Sequence, residues 1–522
     1  MPIDFFKELS MYPEQFLHLL KKHIKQEWLF AFLSAFCTGL LVHLFRFTNH
    51  LLTWDSIYNF HDSQNTIHLG RCFLTLACGI GSYYDLQWIN GLLSLIYLSL
   101  VCVCLTELFS LRKKISIFLV SALTVCFPSV ASTFAYMYTA DGYFLAMLFM
   151  TLAVLLTVRK KYGFLPAIFL IAFGYGSYQA YISYAVMLVL TWTLMQLFTK
   201  ASAEKSVFKE ILPYWGRFLL MGVCGTIVYL LCYKLLAAFE KIPASDYNGI
   251  ATMSLPNPPR LLQAGKDCLI DFAYFFFGPL DKFNFYKLSN GLLFLLLFVL
   301  FFYCIKKSRL YLRPADFGLS IFCLLAMPFV CSMIYFLSPQ VRYYMLMYAS
   351  FSLFYILPVL FYDKITLQPN RIKAVLCWCC TVLTTLIIFN FALISNISYL
   401  YMKTSNEMTF ALVNRMVDRI EQLEDFQAAK KLCLIGHFED FDSVSLSLPP
   451  SMAGIRDGYI ISEQAHFLAM METYFHLMLA PCTDTEKQAL QCSPEFQEMP
   501  CWPADGSIKQ FKDTVVIKIA SD

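Results

Sequence analysis

Residues 163–198, GFLPAIFLIAFGYGSYQAYISYAVMLVLTWTLMQLF, form one unbroken apolar run. As a single helix rising 1.5 Å per residue it would measure about 54 Å, against about 30 Å of hydrocarbon in a bilayer. Two crossings that turn near Gly174-Tyr175-Gly176-Ser177 fit that length instead. Arg159, Lys160 and Lys161 precede the run and Lys200, Lys205 and Lys209 follow it. Cytoplasmic loops attract Lys and Arg, and an even number of crossings brings the chain back to the side it left.

The same length rule, applied outward, predicts spans near 27–48, 86–109, 115–136, 142–158, 163–176, 179–198, 214–237, 290–305, 316–337, 342–361 and 374–395. With eleven spans, the short basic loops at 112–114, 159–161, 200–209, 306–313 and 364–373 share one side with Lys21, Lys22 and Lys25. That side is the cytoplasm by the positive-inside rule. The loops 49–85, 137–141, 238–289 and 338–341 are then extracytoplasmic, as is everything after about residue 396. In residues 1–26, Phe5, Phe6, Leu9, Phe16, Leu17, Leu20 and Ile24 recur at helical spacing against lysines, which predicts an amphipathic helix on the cytoplasmic face.

Composition agrees with this architecture. Apolar residues make up 58% of the 522 and charged residues 15%, which excludes a water-facing globule. The formal net charge of +4 is small and its positive residues sit in membrane-flanking loops, so nucleic acid is not an expected partner. Most of the 19 cysteines lie in runs such as VCVCL and LCWCC, where they pack as small apolar side chains. No small-residue cleavage site follows the first apolar run, so no removable signal peptide is expected. The fold class is a polytopic α-helical membrane protein whose transmembrane unit spans 27–396, followed by a small extracytoplasmic α/β domain at 397–522. In that domain NEMTFALVNRMVDRIEQL reads as an amphipathic helix, KLCLIGHF as a buried strand and TVVIKIA as a closing strand. Cys482, Cys492 and Cys501 cluster there, either bridged once or left as thiols.

Polar chemistry concentrates between Asn49 and Asp85, NHLLTWDSIYNFHDSQNTIHLGRCFLTLACGIGSYYD, in a chain that is otherwise largely oil-soluble. Asp55 and Asp62 stand seven apart, on about the same face of an interfacial helix. A carboxylate at a low-dielectric boundary holds a proton more tightly, which suits a general base acting on a sugar hydroxyl; the plainer reading is two acids that keep a loop wet. Asp141 opens the fourth span, where it is either a second functional acid or a carboxylate at the positive end of the helix dipole. Arg71 and Arg342 lie at outer mouths, as bidentate phosphate ligands or as snorkelling anchors. Tyr178, Gln179 and Tyr181 place rings and an amide at the outer turn between two spans, to bind sugars or to form an aromatic belt. Asp246, Arg260, Lys266, Asp267 and Asp271 fall in the long 238–289 loop, and none stands out. His50, His61 and His68 match no compact metal motif, while a carboxylate-held Mg²⁺ or Mn²⁺ shared with a phosphate stays open.

Several segments together carry a resemblance: WDS and HDSQNTIHLGR in the first outer loop, YTADGYF, GYGSYQAYISY, SPQVRYYM and the closing MPCWPADGSIKQFKDTVVIKIA. The chain resembles the type II O-antigen glucosyltransferase (Gtr) family, within the GT-C superfamily. The resemblance implies a bacterial inner-membrane enzyme that moves a sugar, most readily glucose, from undecaprenyl phosphate to a cell-envelope glycan such as O-antigen. It further implies an acid in the first outer loop, corresponding to Asp55 or Asp62, and a second corresponding to Asp141. Cys72 departs from the pattern, in which an aromatic residue would follow Gly70-Arg71. Two other readings are a transporter or flippase and a glycan polymerase or ligase. The first is disfavoured by the scarcity of ionisable residues in span centres; the second would put a large outer loop between late spans, and the 238–289 loop between the seventh and eighth spans keeps it open.

Overall fold

The computed structural model describes residues 12–199, 206–243, 257–278, 286–338, 340–365, 371–438, 452, 454–455 and 458–519. The chain runs through α1 (Pro13–His23), α2 (Gln26–Thr48), α3 (Leu74–Gly79), α4 (Gln87–Leu108), α5 (Lys114–Cys126), α6 (Pro128–Ala135), α7 (Met137–Arg159), α8 (Phe164–Ser177) and α9 (Tyr181–Thr199). It continues through α10 (Phe208–Glu240), α11 (Pro258–Phe277), α12 (Tyr286–Lys307), α13 (Pro314–Cys331), α14 (Ser352–Lys364) and α15 (Arg371–Glu421). Ten helices among the described residues are long and apolar enough to cross a membrane, with α5 and α6 counted as one and α14 extended back to Met345. The arrangement is that of a polytopic membrane protein. Leu219, Leu235, Phe298 and Trp378 point outward, each more than half exposed, as lipid-facing side chains do.

The eleventh expected span is α8, and it is short. Its 14 residues reach about 21 Å, less than a hydrocarbon core. The long apolar run does divide in two, with helix to Ser177 and the turn at Tyr178–Ala180, slightly later than expected. Basic residues of several loops gather at one end of the bundle. There Lys25 pairs with Glu107 at 2.7 Å and Arg159 with the same carboxylate at 3.1 Å, while Lys113 donates to the Tyr362 carbonyl at 2.7 Å and Lys364 to that of Phe109 at 3.1 Å.

Three expectations about loops change. Residues 137–141 are the first turns of α7 rather than a loop; only Tyr136 separates it from α6, so the reversal needs no linker. The 238–289 segment contains α11, started by Pro258 and by the Asn257 side chain accepting from Arg260 N–H at 3.0 Å; Asp246 lies outside the described residues. The boundary expected at 396 falls inside α15, whose 51 residues run unbroken for about 76 Å. No Gly or Pro interrupts it, and past the apolar span its buried Leu412, Val413, Met416, Val417 and Ile420 keep helical spacing. Phe5, Phe6 and Leu9 of the expected N-terminal helix lie outside the described residues; α1 covers 13–23 and ends just before Ile24.

Beyond α15 come β1 (Lys431–Ile435), α16 (Gln464–Phe475), β2 (Ala480–Pro481), α17 (Asp484–Gln491), α18 (Pro494–Gln497), β3 (Ile508–Phe511) and β4 (Thr514–Lys518). The sheet order is β2-β1-β4-β3, parallel except for the closing β3–β4 hairpin. Alternation along β1 sends Leu432 and Leu434 into one core, with the end of α15 and α16, and Cys433 and Ile435 into a second with Phe496. Cys482, Cys492 and Cys501 are free thiols, and the sulfur beside Cys482 is that of Cys433.

Candidate functional site

The 49–85 loop straddles two cores. Leu51 and Ile67 are buried in the helix bundle, whereas Leu52 and Ile57 are buried in the core of the carboxyl-terminal domain. Asn406 on α15 grips the crossing point, accepting from Leu52 N–H at 2.8 Å and donating to the Leu52 carbonyl at 3.0 Å. A single 3-10 turn follows, Asp55–Tyr58. Ser56 Oγ accepts from Thr53 N–H at 2.6 Å, and the Thr53 carbonyl accepts from Ile57 N–H at 3.2 Å. Short hydroxyl side chains divert backbone groups in this way, so the WDS segment is a tight turn and not the longer interfacial helix its spacing allowed.

Asp55 leads from this turn into a cavity of about 810 Å³, within the usual size range of small-molecule sites. Six of the eight side chains singled out from sequence line that cavity: Asp55, Asp62, Arg71, Tyr178, Gln179 and Arg342. They come from three segments far apart in the chain. Tyr181 and Asp141 lie outside the lining. Tyr181 is buried and packs edge-on behind Tyr178, ring centroids 5.2 Å apart. Asp141 is 1% exposed, accepts from Gly142 N–H at 3.0 Å, and faces Gly81 and Asn90 on α4. It sits beyond the first turn of α7, and its position therefore fits neither the cavity nor the N-terminal capping role.

Arg71 is built in with care. Its Nη1 donates to Tyr143 Oη at 2.7 Å, and its guanidinium lies 5.7 Å and 5.5 Å from the rings of Tyr143 and Tyr178, which stack on each other at 4.3 Å. Contacts of this kind hold a guanidinium plane in one orientation. The preceding Gly70 has φ +72°, and a Cβ there would lie 2.7 Å from Gln179 Nε2 and 2.8 Å from Tyr229 Oη. Those atoms are close because Gln179 donates to the Leu69 carbonyl at 2.8 Å and Tyr229 to the Gly70 carbonyl at 3.0 Å. Gln179 thus braces the turn that carries Arg71. Cys72, where an aromatic residue was expected, is buried, and the next residue, Phe73, stacks on Phe173 at 5.4 Å. Across the cavity, the Arg342 guanidinium lies 5.5 Å from the Tyr344 ring.

The two acids differ. Asp62 accepts from Gln64 N–H at 3.0 Å, which fixes its carboxylate in an Asx turn around Gln64, a residue held at φ +56°. Asp55 is exposed to the cavity, and partial desolvation by the protein around it raises its pKa above the ordinary carboxylate value, against the opposing pull of His466 and Arg71. Burial in turn lowers the pKa of His466, opposed by Glu463 and Asp55, which favours the neutral ring. Among the described residues no group of three or more His, Cys, Asp or Glu side chains converges as metal ligands do.

Several residues of the site carry no mark in the sequence. Tyr143 sits inside the quoted YTADGYF, but nothing local marks it as the partner of Arg71. Gln64 lines the cavity with its amide nitrogen buried and without a hydrogen-bond partner among the described residues. Asn406 and His466 come from segments that the sequence places in the carboxyl-terminal region, and no sequence signal ties them to the 49–85 loop.

A family model described as "Glucosyl transferase GtrII" matches residues 44–354, more than half of the chain. No curated protein and no solved structure matches. The matched stretch contains all six of the cavity residues singled out from sequence and ends before α15 and the carboxyl-terminal domain.

Proposed function

The chain belongs to the GtrII glucosyl transferase family, and on that premise we propose that it moves one glucose from undecaprenyl phosphate to a hydroxyl of a cell-envelope glycan outside the cytoplasm. The observation that carries this reading is the convergence of Asp55, Arg71 and Arg342 on one cavity at the end of the bundle away from the basic loops.

In the proposed reaction Asp55 accepts the proton of the acceptor hydroxyl as its oxygen bonds to C1 of the sugar. The C1–O bond to the lipid phosphate breaks, and the phosphate leaves as an anion. Arg71 and Arg342 bind that anion and stabilise the charge that grows on it. Asp55 suits the base better than Asp62, because among the described residues neither of its oxygens is committed to a neighbouring N–H, whereas Asp62 accepts from Gln64 N–H. Tyr178 offers a ring face to a sugar, while Gln179 holds the Arg71 turn. A carrier too apolar to leave the bilayer and an acceptor that needs water can meet only at such an interface. Asp141 is assigned no chemical step.

The test is transfer of radiolabelled glucose from polyprenyl-phosphate-glucose to envelope glycan in membranes, with Asp55→Asn, Asp62→Asn and Arg71→Ala at equal expression. Asp55→Asn is expected to lower turnover by about 10²- to 10⁴-fold, the range of a lost general base. Arg71→Ala should abolish most transfer, and Asp62→Asn should leave more than either. Full activity of Asp55→Asn and Arg71→Ala together would remove the assignment, and label moving with no donor sugar would remove the reaction.

A further inference from the structure

We infer that His466, on the carboxyl-terminal domain, is a positioning residue that sets the direction of the Asp55 carboxylate, so that the catalytic cavity is complete only when this domain is docked. The inference rests on the glycosyl-transfer reading above and adds a part of the chain, residues 355–522, that the family match does not cover.

Local bonds shape the backbone of the Asp55–Tyr58 turn, but among the described residues no hydrogen bond holds the Asp55 carboxylate itself. Its direction therefore depends on how the whole turn is seated. That seat belongs to the other domain. Ile57 is buried in the core built by α15, α16 and the sheet. The two rings that flank the acid, Trp54 and Tyr58, both pack on the His466 ring, with centroids 6.1 Å and 5.4 Å away. His466 is 8% exposed, and its Nδ1 lies 3.4 Å from Ser462 Oγ. A wall of the cavity comes from the same side, through Met452, Gly454 and Ile460. Gly454 has φ +76°, and a Cβ there would lie 3.0 Å from Ala135 Cβ and 3.1 Å from Thr53 Cγ2, so this strand of chain is pressed onto both the bundle and the turn.

Two substitutions separate holding the turn from chemistry by the imidazole. His466→Ala removes the ring, and His466→Phe keeps a ring without its nitrogens. Sugar transfer and amide hydrogen exchange over residues 53–59 are measured on the full-length protein in lipid nanodiscs. His466→Ala is expected to lower kcat by about 10- to 100-fold, the cost of misplacing a catalytic group, with the donor KM unchanged. Exchange over 53–59 should rise about 2- to 10-fold, the size of a lost aromatic pair, while the bundle helices stay protected. His466→Phe should recover most of both losses.

Full turnover in His466→Ala overturns the proposal. So does unchanged exchange over 53–59, or equal loss in the Ala and Phe variants, which would place the imidazole in the chemistry. If the unaltered protein transfers no sugar from any polyprenyl-phosphate donor, the functional reading fails, and exchange alone decides whether His466 holds the turn.

Discussion

Asp55 carries a testable consequence in its proton affinity. A carboxyl whose pKa is raised on folding binds its proton more tightly in the folded state than in the unfolded one. The stability it contributes is fully present below the unfolded pKa and is lost as pH rises through the raised folded value. At neutral pH the ionised group is therefore a cost to the fold, kept for function. Asp55→Asn is expected to melt no lower than the unaltered protein at neutral pH, with the difference closing as the pH falls toward the carboxylate range, about 4. Thermal unfolding in detergent at both pH values measures this; a clear drop in Tm at neutral pH would show that the ionised acid supports the fold instead. The acid limb of kcat/KM should likewise fall at a pH above that of an ordinary aspartate. Asp55 and Arg71 were legible in the sequence because ionisable groups are rare in so apolar a chain. Asp141 looked equivalent by the same test, but the face of a helix a residue occupies depends on where that helix starts, and α7 starts at Met137, four residues before it.

At the scale of elements, α15 does the most to join the two halves of the molecule. It leaves the bundle, grips Leu52 through Asn406, and ends as part of the core that seats the Asp55 turn. Leu400 points outward from this helix, 51% exposed, so replacing it tests the backbone and not the packing. Leu400→Pro removes a helix hydrogen bond and adds a clash, about 3 kcal/mol in a helix interior. The variant is expected to insert in the membrane at normal levels, to expose the carboxyl-terminal domain to limited proteolysis, and to lose sugar transfer, whereas Leu400→Ala should behave as the unaltered protein does. Retained transfer in Leu400→Pro would mean that the continuity of α15 is not needed. The sequence pattern marked both ends of this helix correctly as apolar and amphipathic. It could not show that they are one element, because a change of surrounding solvent along a helix changes the residue pattern without breaking the hydrogen-bond ladder.

For the molecule as a whole, the basic end and the cavity end lie at opposite ends of the bundle, and the proposed orientation sends the cavity and the carboxyl-terminal domain outside the cytoplasm. Cys492 is an exposed thiol on that domain, whereas the exposed Cys37 and Cys379 sit on membrane-type helices. A membrane-impermeant maleimide added to intact spheroplasts should label the protein, and Cys492→Ser should remove most of that label. Labelling that appears only after the membrane is permeabilised would reverse the orientation and put the transfer reaction on the other side.

Composition, the lengths of apolar runs and the placement of Lys and Arg determined by themselves that this chain is a many-helix membrane protein with a small carboxyl-terminal sheet, because each is a local property that bilayer thickness and surface charge act on directly. The loop rich in acids and amides marked one wall of the site for the same reason. Only the tertiary structure decided that the carboxylate of Asp62 is tied into a local turn while that of Asp55 is not, that Tyr143 orients Arg71, that Gln179 braces the turn rather than standing free, and that Asn406 and His466 pack on the first loop. Those outcomes depend on contacts between residues up to about four hundred positions apart. Such contacts are set by how helices and domains pack, and no property of a short stretch records them.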